Sequence, residues 1–132
     1  MTKRMHAPLA VILGFTVFLT VVLGACVQET SAVDRAQAAV PSGQELRGVV
    51  EVFGLPTSRT LLLTVDACGR NPVVSAQESE DEVIISVTVA TSRDAFADCG
   101  ESAEVNLAEP LGDRRVVDAS SGSDLNVLEP EP

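Results

Sequence analysis

The side chains able to do chemistry in this chain are nineteen carboxylates, three cysteines and a few arginines. Four of the acids sit in one short run, Glu78-Ser79-Glu80-Asp81-Glu82. Calcium takes several carboxylate oxygens, so this run is a candidate for weak Ca²⁺ binding. It lacks the spacing of an Asp-x-Asp-x-Asp-Gly loop. Acids at a hairpin tip also keep a sheet edge soluble and block sheet-to-sheet pairing. The solvated hairpin is the preferred reading, and no metal ligand is assigned. Gly112-Asp113-Arg114-Arg115 holds the paired arginines. They could take an anionic group such as a teichoic or sugar phosphate. Asp and Arg at a turn more often cap backbone groups and pair with nearby acids, and that reading is preferred.

Other catalytic chemistries lack their residues. The one His is His6 and the one Lys is Lys3, both at the extreme N-terminus. Elsewhere Ser and Thr hydroxyls have no His or Lys to activate them. Zinc, copper and haem want His or Cys ligands. Glycoside hydrolysis needs two facing carboxylates and a sugar groove. The chain has no Trp or Tyr to line one. No catalytic residue and no cofactor are expected, and the protein is not expected to be an enzyme.

The N-terminus reads as an export signal. Lys3 and Arg4 precede an uncharged stretch from Ala7 to Ala25, and Cys26 follows. Leu23-Gly24-Ala25-Cys26 resembles the lipobox of bacterial lipoproteins, with Gly24 where Ala or Ser is usual. The resemblance implies that Cys26 is joined to diacylglycerol and becomes the new N-terminus. Two or three acyl chains, palmitate among them, give stable attachment. The expected place is the outer face of a bacterial cytoplasmic membrane. An uncleaved membrane anchor and simple secretion are the alternatives.

Beyond residue 25 the chain has no Lys, His, Met, Trp or Tyr. Seven arginines there face nineteen acids, a formal charge of −12. Arg without Lys, with abundant Ala and Val, suits a GC-rich genome and suggests an actinobacterium. The acidic balance excludes a nucleic-acid partner held by phosphate neutralisation. It would repel anionic lipid and favour a basic partner, although solubility alone also accounts for it.

These features must be carried by a small domain. Residues 1–25 are assigned to the signal peptide, 26–43 to the lipidated Cys and a flexible tether, and 44–132 to the folded domain. Ala36–Val40 is too short to persist alone as a helix. From Glu45 onward the pattern is strand-like. Runs at Gly48–Phe53, Thr60–Asp66, Val73–Glu78, Glu82–Ala90, Ala103–Ala108, Arg115–Asp118 and Leu125–Leu128 alternate or carry β-branched residues. Gly, Pro, Asp and Ser fall between them. About seven short strands predict an all-β fold, a small antiparallel β-sandwich of immunoglobulin-like type. Phe53 and Phe96 are expected in its core. Thr91–Glu101 has room for one helical turn.

With Cys26 lipidated, Cys68 and Cys99 remain. In an oxidising compartment they form one disulfide. A domain this small benefits from such a staple.

The stretch Leu61–Asp118 resembles a group of small secreted proteins and lipoproteins of actinobacteria. The motifs are Asp66-Ala67-Cys68 with Asn71-Pro72, and Glu109-Pro110-Leu111-Gly112-Asp113-Arg114. The resemblance implies export, paired cysteines and a β-rich fold, and carries no catalytic residue across. The expected role is a membrane-anchored binding module with an envelope protein or glycan partner. A passive structural envelope lipoprotein is the alternative.

Overall fold

The computed structural model describes residues 30–92 and 99–130. The N-terminal signal, Cys26, Phe96 and most of the Thr91–Glu101 stretch lie outside the described residues. The element order is α1 (Ala32–Ala38), β1 (Gln44–Arg47), β2 (Val49–Phe53), β3 (Thr60–Asp66), β4 (Val73–Glu78), β5 (Glu82–Ala90), β6 (Gly100–Asn106), β7 (Arg115–Asp118), β8 (Asp124–Leu125) and β9 (Val127–Leu128).

The strands form two sheets that share one core, the all-β sandwich expected from the alternating runs. β5 is the longest strand and the axis of the first sheet. β4 pairs antiparallel along one of its edges. Its other edge is shared end to end, with β7 parallel to Glu82–Ile85 and β1 antiparallel to Val87–Ala90. β8 extends this sheet from β7. The second sheet has the order β6-β3-β2-β9, and β9 joins β2 in parallel. Two parallel pairings therefore sit within a mainly antiparallel sandwich.

Period-two alternation fills the core. Leu61, Leu63 and Val65 of β3 meet Val83, Ile85, Val87 and Val89 of β5, and all seven are buried. Val52, Val105, Leu107, Leu111 and Val116 belong to the same cluster. The hydrocarbon removed from water here is the main term favouring the fold.

β2 is irregular. Val49 opposes Val65, but the next pair is Glu51 with Thr64, so Val50 is an extra, bulged residue. The bulge turns Glu51 and Phe53 outward while Val49 and Val52 stay in the core.

The structure also differs from the sequence expectation at residues 32–38. This part of the expected tether is a docked helix. Ser31 caps α1: its hydroxyl accepts the Asp34 N–H at 3.1 Å, and the Asp34 carboxylate accepts the Ser31 N–H at 3.2 Å. Ala36 is buried with Ile84, Val117 and Ala119, and Ala32 and Val33 pack alongside. Gln37 Nε2 donates to the Ala119 carbonyl at 2.8 Å. Tertiary packing thus holds a helix too short to stand alone.

Candidate binding surface

The acidic hairpin and the paired arginines, far apart in sequence, meet in space. Parallel pairing of β5 with β7 places Arg115 opposite Glu82, and their side chains form an ion pair at 2.6 Å. Arg115 also reaches Asp124 at 3.3 Å. Arg114 pairs with Glu78 at 2.8 Å and donates to the carbonyls of Glu109, Pro110 and Leu111. Glu78 takes a second bond from the Ala108 N–H at 2.7 Å. Burial alone would raise the Glu78 carboxyl. The Ala108 N–H and the Arg114 guanidinium outweigh it and hold the group below its ordinary value.

Glu78 and Glu82 are paired with arginine, while Glu80 and Asp81 of the run are in no ion pair in the described structure. Among the described residues no group of three or more His, Cys, Asp or Glu side chains is arranged to hold a metal ion. Arg114 is a structural clamp, with its donors spent on backbone carbonyls and one carboxylate. The turn beneath it needs Gly112, whose φ is +61°.

The opposite end of the sandwich carries the disulfide. Cys68 and Cys99 are bonded, with Cα atoms 5.1 Å apart. Their loop is anchored further: Gly69 N–H donates to the Glu101 carboxylate, and Arg70 pairs with Glu45 at 2.8 Å. Arg47 reaches Glu45 at 2.7 Å and Asp66 at 3.7 Å. The Arg70 hydrogen bond lowers the Glu45 carboxyl most; burial opposes it, and Arg47 adds to the lowering.

A third polar cluster lies at the end of β7. Asp118 is buried, and its carboxylate accepts the Ser120 N–H and the hydroxyls of Ser120 and Ser121. These bonds close the turn leading to β8. They give Asp118 a structural role in that turn.

The two outer faces of the sandwich are unlike. The first sheet is covered by α1 across Ile84 and Val117. The second sheet is open in the described structure. A row of side chains crosses it in register, from Leu128 on β9 through Phe53 on β2 and Leu62 on β3 to Glu104 on β6. Leu62 is 45% exposed and Leu128 37%. Leu55 and the bulged Val50 add exposed apolar surface at either side. The neighbouring row is polar: Glu51, Thr64 and Ser102, with Thr64 Oγ1 donating to Glu51 at 3.4 Å. Between the rows lies a shallow depression of about 410 Å³ lined by Phe53, Leu62, Thr64, Ser102 and Glu104. A second, of about 260 Å³, continues past Phe53 to Leu55 and Pro130.

Phe53 was expected in the core and is instead the centre of this outer row. The bulge at Val50 is the reason, because one extra residue reverses the side on which every later side chain points. The signal available in the sequence was Leu62, an apolar residue on the polar side of β3.

Among the described residues no helix is long and apolar enough to cross a membrane. The chain matches no family model, no curated protein and no solved structure.

Proposed function

We propose that this protein is a lipid-anchored, non-enzymatic binding module at the outer face of a bacterial cytoplasmic membrane. The observation that carries the binding reading is the contrast between the two outer sheet faces. One is covered in part by the chain's own helix, over Ile84 and Val117. The other leaves Phe53, Leu62 and Leu128 accessible in one row, with Leu55 beside them. Contiguous exposed apolar surface rimmed by polar residues marks interaction sites on soluble domains.

The anchor reading is supported by the basic start, the uncharged stretch and Leu23-Gly24-Ala25-Cys26. Docking of α1 also changes how far the domain can stand from lipid. Five steps of chain separate Cys26 from Ser31, a reach of at most about 18 Å. An anchored domain would be held close to the membrane on its α1 side, with the uncovered sheet on the far side.

The test has two parts, both in the native envelope. Cells fed an alkyne fatty acid should label the full-length protein, and Cys26→Ser should abolish the label and release the protein from membranes. A photo-crosslinking amino acid at Ser102, on the open face, should trap a discrete partner, while one at Arg35 on α1 should not. Label without any adduct at Ser102 would favour a passive structural envelope lipoprotein.

A further inference from the structure

We propose that the open face of the β6-β3-β2-β9 sheet docks a protein segment carrying Lys or Arg beside aliphatic or aromatic side chains. This rests on the binding-module reading and adds the chemistry of the partner.

On this face negative charge flanks an apolar row. Leu128, Phe53 and Leu62 lie side by side on three strands. Two exposed carboxylates flank them: Glu104 ends the same row, and Glu51 begins the next. Their Cα atoms lie about 12 Å apart by strand spacing and rise, on either side of β3. Among the described residues neither carboxylate is in an ion pair. Several acids elsewhere have an arginine partner. Glu45 has Arg47 and Arg70, Glu78 has Arg114, and Glu82 and Asp124 share Arg115. The arginines that form ion pairs in the described structure, Arg47, Arg70, Arg114 and Arg115, do so away from Glu51 and Glu104, so this face presents apolar surface together with two carboxylates that no arginine pairs. A ligand with basic and apolar groups on one segment satisfies both.

Other occupants fit less well. Anionic lipid has the wrong sign. A second copy related by a two-fold axis would meet the same carboxylates and a chain charge of −12 beyond residue 25. A glycan is commonly held on aromatic platforms, and the face offers one ring, Phe53. The N-terminal segment enters at α1, on the opposite face.

The full chain in neutral phosphatidylcholine nanodiscs is titrated with fluorescent synthetic peptides, with empty nanodiscs as background. The probes are Lys-Leu-Lys-Phe-Lys-Leu-Lys, its Glu-for-Lys counterpart and its Ser-for-Leu/Phe counterpart. The basic apolar peptide should bind at least tenfold more tightly than either. Glu51→Gln with Glu104→Gln should weaken it about tenfold and flatten its salt dependence. Phe53→Ser should do the same without flattening it, and circular dichroism must show that variant folded. Leu62→Ser is the second apolar variant should Phe53→Ser not fold. Arg35→Gln, on the covered side, should leave binding unchanged.

Equal binding of the three peptides overturns the proposal, as does absence of binding. So does basic-peptide binding that ignores the face substitutions, which would be attraction to net charge alone. A chain that dimerises, and becomes monomeric with Phe53→Ser, assigns the face to a second copy instead. If Ser102 crosslinks an envelope protein yet these peptides fail, the binding module survives and its partner chemistry is wrong.

Discussion

The Glu78 carboxylate joins the two sheets: Oε2 accepts Arg114 Nη1 at 2.8 Å, and Oε1 accepts the Ala108 N–H at 2.7 Å. Glu78 ends β4 of the first sheet, and Ala108 lies just past β6 of the second. The same guanidinium gathers the carbonyls of Glu109, Pro110 and Leu111 into one turn. Arg114→Ala strips these acceptors of their partner and leaves a half-buried carboxylate without its cation. The expected loss is about 1–3 kcal/mol of unfolding free energy. Arg114→Lys should recover only part of it, because a single ammonium cannot serve three carbonyls and a carboxylate from one fork. Urea unfolding of the three proteins measures both effects.

The same carboxylate, together with Glu45, sets an acid limit on stability. Both groups have folded values below their ordinary ones. A depressed carboxyl contributes stability that is present above its unfolded value and lost as pH falls through the folded value. Stability should therefore be level near neutrality and decline below about pH 4.3, the ordinary glutamate value. Glu45→Gln with Glu78→Gln should be less stable than the parent at pH 7 and converge on it at pH 3. A parallel decline of the two proteins would refute this assignment. Denaturant midpoints taken across that range provide the comparison.

The strands themselves were legible in the sequence. Thr60–Asp66, Val73–Glu78, Glu82–Ala90 and Arg115–Asp118 have the bounds that alternation and β-branching predict. What was not legible depends on long-range register. Glu82 finds Arg115, thirty-three residues on, only because β5 and β7 pair in parallel. Phe53 faces outward only because Val50 bulges against β3, and nothing local in Val49-Val50-Glu51-Val52-Phe53 announces an extra residue. The docking of α1 did leave a trace. Ile84 and Val117 interrupt the polar sides of their strands, as a sheet covered on both faces requires.

The disulfide fastens the loop after β3 to the start of β6. Its partners are 31 residues apart. Cross-linking a loop of that length removes chain entropy from the unfolded state worth roughly 3.7 kcal/mol. Cys68→Ser with Cys99→Ser should cost about 2–4 kcal/mol. The loss should appear equally when the parent protein is reduced, which separates the missing bond from any effect of the serine hydroxyls. Urea unfolding with and without reductant gives both numbers.

α1 should behave as a removable cover. Its seven residues cannot hold helical geometry alone, so its order depends on the Ala36 contact with Ile84, Val117 and Ala119. Ala36→Glu places a charge in that apolar contact. The cheapest response is for the helix to leave the sheet, which limits the loss to the docking energy, about 1–3 kcal/mol. The core between the sheets, from Leu61 to Val116, should keep its protection. Trypsin then distinguishes undocking from unfolding: cleavage after Arg35 should accelerate greatly in Ala36→Glu, while cleavage after Arg47 or Arg70 stays slow. Ser31→Ala, which removes only the cap, should shift the same cleavage in the same direction by less, in keeping with a loss of about 1 kcal/mol. Equal acceleration at all three arginines would mean that α1 is part of the cooperative fold and no separate cover.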